Sequence, residues 1–266
     1  MVELIIIDAP YSLGEKLEYA GPEVDLRGFE VAQELGLPWV EIEPIFTPDL
    51  DPVTAVNQAL AQAVAAHPRQ VPLIFAGDCV ACLGAMKGLE ARQPAVIWFD
   101  AHGDFNTPET SPSGFLGGMP LAALVGRGNE DLMTGLELAP IAEADVLFTD
   151  GRDLDPEEGV NLRASAVQVF PETGALLEAS LPQKSLYIHL DLDVVNLDEM
   201  PACTYPAPGG PSAALVEQVL RRILRDGETA GLLISLFDER HPGAPTARRT
   251  TLRLIHAAVE ELRRRV

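Results

Sequence analysis

Apolar runs of strand length alternate along this chain with longer stretches in which apolar positions recur at helical spacing. The short runs predict buried β-strands, the longer stretches predict amphipathic helices, and their alternation is typical of βαβ units around a mostly parallel sheet. Strands are predicted at residues 3–8, 39–43, 72–76, 95–100, 145–149, 166–170, 185–190 and 230–235. Helices are predicted at residues 53–66, 80–91, 120–125, 173–179, 212–225 and 246–265.

The chain has 266 residues, of which 47% are hydrophobic, and this size permits one large α/β core. It contains no internal repeat, low-complexity tract or linker-like segment, so we expect a single domain over residues 1–266. The longest irregular segment, residues 101–119, follows the apolar strand that ends at Asp100. Because open α/β sheets bind ligands beyond the carboxyl ends of their strands, this segment is where we expect a functional site.

Charge and cysteine content narrow the classes of function. Forty acidic residues against nineteen basic ones give a formal net charge of -21, which opposes binding to nucleic acid or to an anionic membrane. The amino-terminal apolar run is too short to span a bilayer and has no basic leader, so we expect a cytoplasmic protein. Three cysteines are too few for a disulfide framework, and the pair Cys79 and Cys82 is either two small buried thiols or a weak redox signal.

Two acidic motifs stand at the ends of predicted strands. Asp100, His102 and Asp104 alternate along the chain, so in an extended backbone their side chains point the same way. Asp191 and Asp193 repeat this spacing after another strand. Converging carboxylates repel one another unless a cation holds them, and oxygen-rich ligand sets suit Mn²⁺ better than Zn²⁺. Two metal ions are the economical explanation, and a chance pairing of loop caps is the structural alternative.

These motifs and the segments around them resemble the arginase-type ureohydrolases over most of the chain. The similarity covers D-A-H-G-D at residues 100–104 with F-N-T-P-E-T-S-P-S-G after it, D-L-D at residues 191–193, and the Pro- and Gly-rich residues 201–210. The resemblance implies a three-layer αβα fold with a parallel sheet of about eight strands. It also implies a binuclear manganese site that activates hydroxide for attack on a guanidine-type carbon.

The resemblance assigns the metal ligands residue by residue. Asp100, Asp104 and Asp191 would bind one ion, and Asp100, His102, Asp191 and Asp193 would bind the other. Asp104 is also expected to be catalytic. Cys79 stands where the family has a histidine ligand to the first ion, in Ala-Gly-Asp-Cys for Gly-Gly-Asp-His. Thiolate is a poor match for Mn²⁺, so this site is expected to be weak or to hold another metal.

The family's substrate-binding positions also have counterparts here. Asn106, Ser111 and Ser113 match residues that hold an α-carboxylate, and Asp155 and Glu158 match residues that hold an α-ammonium. A guanidino amino acid is therefore favoured over agmatine, which lacks the carboxylate. Glu239 matches the catalytic acid that pairs with the guanidinium. Each of these acids has an alternative role as a helix cap or surface charge.

A second departure from the family narrows the substrate. Gly117 replaces the histidine that shuttles protons in ordinary arginases, so a group that could protonate the leaving amine is missing. A branch of the family, the Nω-hydroxy-L-arginine amidinohydrolases, is similar in carrying cysteine at the ligand position and in the strings at residues 102–110 and 114–119. Gly117 would leave room for the added hydroxyl. This resemblance implies hydrolysis of Nω-hydroxy-L-arginine to ornithine and hydroxyurea.

Other functions are also compatible with the sequence. An arginase, or another ureohydrolase such as a formiminoglutamase or agmatinase, could tolerate both substitutions, and a non-catalytic pseudoenzyme is the alternative from a different class. The family commonly forms trimers or hexamers, so a homo-oligomer is expected. His189, two residues before Asp191, is expected to be a core or surface histidine with satisfied nitrogens, with a supporting role near the metals as the alternative.

Overall fold

A computed structural model describes residues 2–18, 26–235 and 237–265. The strands are β1 (Glu3–Ala9), β2 (Tyr11–Ser12), β3 (Glu15–Lys16), β4 (Trp39–Glu41), β5 (Gln70–Ala76), β6 (Ala95–Asp100), β7 (Val146–Asp150), β8 (Gln168–Phe170), β9 (Leu186–Asp191) and β10 (Thr229–Ser235). The α-helices are α1 (Gly28–Leu35), α2 (Pro52–Ala65), α3 (Ala81–Gly88), α4 (Pro120–Leu124), α5 (Glu130–Gly135), α6 (Pro156–Ala164), α7 (Ala213–Asp226) and α8 (Ala244–Arg263). All eight predicted strands are confirmed, with ends that differ by a few residues.

Eight strands form one parallel sheet in the order β4-β1-β5-β10-β9-β6-β7-β8, and β2 pairs with β3 in a small antiparallel hairpin. Strands β6 and β9 are neighbours, with Phe99 opposite Leu190. Asp100 and Asp191 are the next residues on these two strands, so they lie side by side at the same edge of the sheet. The register by itself places the two acidic motifs side by side.

Helices cover both faces of the sheet because successive residues of a strand point to opposite faces. On β5, Ile74 packs in one core cluster with Val56 of α2, and the preceding Leu73 packs in the other with Val219 of α7. Helix α3 lies on the α2 side, and α1 and α8 lie on the α7 side. The predicted three-layer αβα class is confirmed. Within the described part of the chain, no helix is long and apolar enough to cross a membrane.

The helices differ from prediction in two respects. The predicted helix at residues 173–179 is a short 3-10 helix, Thr173–Leu177, and α1, α5 and α6 were not predicted. Helix α6 carries a start signal in the sequence, because Asp155 and Glu158 form a reciprocal capping box around Pro156 in the first turn. The helix-cap role, which the sequence offers for these two acids as the alternative to substrate binding, is present in the structure.

Candidate metal centre and active site

The predicted site residues line a cleft of about 810 Å³ at the carboxyl edge of the sheet. Strands β6 and β9 supply its floor, and the loop after β6 supplies one wall. Twelve of the thirteen predicted residues line this cleft: Cys79, Asp100, His102, Asp104, Asn106, Ser111, Ser113, Gly117, Asp155, Glu158, Asp191 and Asp193. The thirteenth, Glu239, does not.

One group of possible ligands is formed by Asp100, His102 and Asp193, which offer atoms within 4.8 Å of one another. The ring of His102 contacts Asp193 through Nδ1 at 2.9 Å, and its backbone N–H donates to Asp100 Oδ1 at 2.7 Å. The N–H of Ala101 donates to Asp193 Oδ1 at 3.0 Å. These bonds hold two carboxylates and an imidazole together at the cleft.

Cys79 belongs to a second group, in which its sulfur lies within 4.8 Å of oxygens of Asp100 and Asp191 and of a nitrogen of His189. The Cys79 thiol donates to Asp191 Oδ2 at 2.8 Å, and the Ser235 hydroxyl donates to the same oxygen at 2.8 Å. Asp78 fixes the backbone here, since its Oδ1 accepts from the N–H of Val80 at 2.9 Å. The sequence thus brings a thiol to the place predicted for the first ion.

Asp104 stands in the cleft with a left-handed backbone, φ 49°, which aspartate tolerates better than most residues. It is 5% exposed, and its Oδ2 has no hydrogen-bond partner among the described residues. A buried carboxylate oxygen without a donor is costly, and a cation would satisfy it.

His189 is a functional candidate that the sequence does not single out. It is 0% exposed and stacks on Trp98 with ring centroids 3.6 Å apart. Neither ring nitrogen has a partner among the described residues, so the expected satisfied core histidine is wrong. Burial lowers the pKa of His189 to about 3, so the imidazole is neutral and its lone pair is available. The sequence signal for this position is its spacing: His189 lies two residues before Asp191, as Trp98 lies two residues before Asp100.

The electrostatics of the cleft suit divalent cations. Burial, aided by the charge of Asp193, raises the pKa of Asp191 to about 7. Burial and then the charges of Asp100 and Asp191 raise the pKa of Asp104 well above its usual range. Burial opposes the charged form of His102, but hydrogen bonds to Asp100 and Asp193 raise its pKa to about 12. Four crowded carboxylates and an unpartnered oxygen fit two metal ions, whose charge would stabilise the ionised ligands.

The residues predicted to hold a substrate head group form a connected set beside the metal ligands. Asn106 donates through Nδ2 to Asp155 Oδ2 at 2.9 Å, and Thr110 donates to Asn106 Oδ1 at 3.1 Å. Glu158 is 3% exposed and accepts from the N–H groups of Phe105 and Asp155 at 2.9 and 3.0 Å. Glu158 therefore ties the loop after β6 to the start of α6, whether or not it also meets a substrate.

The mouth of the cleft carries two hydroxyls and an aromatic wall. Ser111 and Ser113 lie with their hydroxyl oxygens 3.5 Å apart. A Cβ on Gly117 would lie 2.3 Å from Cε1 of Phe115, so the phenyl ring occupies the space beside that glycine. The expectation that Gly117 leaves free room is wrong on this side. Phe115 also contacts Tyr205, with ring centroids 5.2 Å apart.

Two residues make contacts that the sequence does not predict. The Oε1 atom of Glu239 accepts from the N–H of Leu26 at 3.2 Å, so its predicted pairing with a guanidinium stays a prediction. Arg152 has no role predicted from the sequence, and its guanidinium contacts Asp150 Oδ2 at 2.8 Å and donates to the carbonyl of Asp193 at 2.7 Å. It also donates to the carbonyls of Val194, Ala207 and Pro208. It clamps the loop that carries Asp193.

Comparisons with known proteins agree with this geometry. The arginase of Bacillus subtilis (strain 168) is 35% identical over 180 residues, a match that covers 62% of this chain and 61% of that enzyme. The arginase of Brevibacillus brevis is 31% identical over 220 residues, with 74% of each chain covered. A crystal structure of arginase from Bacillus subtilis superposes with a TM-score of 0.82 at 26% identity, covering 97% of this chain and 98% of that one.

The arginase family model matches residues 17–238, which include the whole of both acidic motifs. The match, the parallel sheet and the position of the cleft are mutually consistent. This chain therefore belongs to the arginase family, whose members are hydrolases that act on guanidino and amidino groups.

Proposed function

We propose that the protein is a manganese-dependent amidinohydrolase of guanidino amino acids, with Nω-hydroxy-L-arginine as its preferred substrate. Water and this substrate give ornithine and hydroxyurea. The observation that carries the proposal is the convergence of Cys79, Asp100, His102, Asp191 and Asp193 at one edge of the sheet, with a buried, unpartnered oxygen of Asp104 in the same cleft. We assign the metal ligands and the catalytic and substrate-binding residues as the sequence predicts.

The chain's own residues support hydrolysis in the following way. When bound, the two divalent ions would supply Lewis-acid activation of water near neutral pH. Asp104 Oδ2, which has no hydrogen-bond partner among the described residues, is placed to take a proton from the attacking water and give it to the departing ornithine nitrogen. The new bond joins the water oxygen to the guanidine carbon, and the bond from that carbon to the ornithine side-chain nitrogen breaks.

The amino-acid head of the substrate fits the polar wall of the cleft. Asp155 offers a carboxylate to the α-ammonium, and the hydroxyls of Ser111 and Ser113 with the amide of Asn106 suit the α-carboxylate. Agmatine lacks the carboxylate, so it would leave these donors without a partner. We therefore expect agmatine to be a poor substrate.

The preference for a hydroxylated guanidine rests on the two departures from the family pattern. A thiol stands at the first ion's ligand position, and Phe115 packs where a side chain at residue 117 would begin. No imidazole is provided at residue 117 to protonate the leaving amine. A hydroxyguanidine is less basic than a guanidine and offers an additional oxygen to the ions. Its hydrolysis therefore depends less on the histidine ligand that Cys79 replaces and on the imidazole that is absent at residue 117.

The test is ornithine release from arginine and from Nω-hydroxy-L-arginine, measured side by side on Mn²⁺-loaded protein of known metal content. Preference for the hydroxylated substrate supports the proposal. Equal or faster turnover of arginine identifies an arginase instead. If bound metal produces no ornithine from either, formimino compounds and agmatine are assayed next. Failure with every amidine would favour a pseudoenzyme, whereas any turnover excludes it.

We propose further that residues 1–266 act as a single domain in the cytoplasm and assemble as a homo-oligomer, trimer or hexamer. Family resemblance supports the assembly, and the net charge of -21 opposes a nucleic-acid partner. Light scattering after gel filtration measures the assembly. A monomer at micromolar concentration contradicts it without touching the enzymatic proposal.

A further inference from the structure

His189 has a position and an environment that a core residue does not require. Its strand β9 also carries Asp191, and residues two apart on a strand point to the same face. The ring is fully buried against Trp98, yet both nitrogens lack a hydrogen-bond partner among the described residues. An unsatisfied buried polar group is destabilising, so a hydrophobic side chain would stabilise the stack better. These features favour a ligand role for the imidazole over a packing role.

The surroundings of His189 are those of a transition-metal site. One of its nitrogens, the sulfur of Cys79 and one oxygen each from Asp100 and Asp191 all lie within 4.8 Å of one another. Ligands about 2.0–2.3 Å from a tetrahedral ion lie about 3.3–3.8 Å apart, so small side-chain adjustments would close this group around an ion. The four donors come from two neighbouring strands, β6 and β9, and from the turn between β5 and α3.

We propose that His189 is a ligand of the first metal ion, and that with Cys79, Asp100 and Asp191 it forms a site that prefers Zn²⁺ to Mn²⁺. The chain carries cysteine where the family has histidine, and it supplies an imidazole from β9 instead. Nitrogen and sulfur donors favour zinc, and Mn²⁺ has the lowest affinity of the divalent series for such sets. The neighbouring group of Asp100, His102 and Asp193 keeps an oxygen-rich set for Mn²⁺.

This inference rests on the proposed two-ion centre but not on the proposed substrate. Its measurements use zinc alone and no turnover, so failure of the ornithine assay leaves it intact. Conversely, ornithine release by a protein whose His189 does not bind metal would overturn the inference and keep the enzymatic proposal.

The first experiment follows the histidine ring nitrogens of ¹⁵N-histidine-labelled apoprotein by NMR during titration with Zn²⁺. The chain has five histidines, so the spectrum is simple, and the His189→Gln variant assigns the signal. At one equivalent of Zn²⁺ a nitrogen of His189 is expected to move to a metal-bound shift. A His189 signal that stays at its apoprotein position after one zinc ion has bound would overturn the proposal.

The second experiment measures zinc affinity by competition with a chelator. Loss of a residue that merely orients a ligand lowers metal affinity about 10–100-fold, so His189→Gln is expected to lower first-site affinity by more than about 100-fold. The matched control, His67→Gln, removes a half-buried histidine that contacts Gln70 and should leave the affinity unchanged. A loss of less than about tenfold in His189→Gln would refute direct ligation.

A third measurement does not require His189→Gln to fold. In His102→Asn loaded with one equivalent of Zn²⁺, X-ray absorption at the zinc edge reports the remaining ligands. One sulfur at about 2.3 Å together with one imidazole at about 2.0 Å is expected, and sulfur without imidazole would overturn the assignment.

Discussion

Replacing Arg152 by lysine should weaken both the fold and the metal centre. The guanidinium donates to four backbone carbonyls and contacts Asp150, and its side chain is only 16% exposed. A lysine keeps the charge but lacks the planar fork, so at least two carbonyls lose their donor. At about 1.5–3 kcal/mol for each hydrogen bond to a charged group, the loss is about 3–6 kcal/mol.

Thermal unfolding converts this loss into a measurable shift. At about 2.1 cal/mol/K per residue, the unfolding entropy of a chain of this size is about 0.56 kcal/mol/K, so the Tm should fall by about 5–11 °C. The matched control is Arg225→Lys, where the side chain is 60% exposed and pairs with Asp226, and its effect should stay below about 0.5 kcal/mol.

Metal affinity provides an independent readout of Arg152, because its bond to the Asp193 carbonyl holds the loop that presents that carboxylate. Mn²⁺ affinity should fall about 10–100-fold, as expected for a group that supports a ligand. A variant that melts within about 2 °C of the parent protein and binds Mn²⁺ equally well would show that the clamp is dispensable.

Three further predictions follow from single residues. Burial raises the pKa of Asp8 from 3.8 to about 6, so the folded chain holds this proton more tightly than the unfolded chain does. The free energy of unfolding should therefore fall by about 3 kcal/mol as pH rises from about 4 to about 6. Urea unfolding of Asp8→Asn should lack that decrease, and a pH profile equal to that of the parent protein would refute the role of Asp8. Cys79→His should raise Mn²⁺ stoichiometry and arginine turnover together, and no change in either would refute a ligand role for the thiol. Gly103→Ala places a Cβ 2.5 Å from Glu158 Oε1 and should displace that side chain. The KM should rise at least about tenfold as a result, and initial rates measured over a range of substrate concentrations will check it.

The strands and the acidic motifs were predictable because each depends on local pattern. Continuous apolar runs identify strands that are buried on both faces, and the Asp100 and Asp191 motifs follow such runs directly. Their proximity follows from strand order, since β6 and β9 pair although the strands lie far apart in sequence. That pairing was available only from the family resemblance.

The remaining features depend on three-dimensional packing that no local pattern records. The ring of Phe115 fills the space beside Gly117, although the sequence indicates only a missing side chain. Unsatisfied nitrogens at His189 can be recognised only when its neighbours are known. Helix α6 is a different case, because the sequence allows the two acids of its capping box to be helix caps as well as substrate ligands.

The strand order has a consequence for how the protein is made. The last strand in the chain, β10, lies inside the sheet between β5 and β9, and its Ser235 bonds to Asp191. A growing chain on the ribosome can therefore form its early strands but cannot complete the sheet until residue 235 has emerged. Such long-range pairing slows folding and leaves apolar strand edges exposed in the nascent chain. Metal capture should accordingly be a late event of biosynthesis, and chains released before β10 should be substrates for chaperones and proteases.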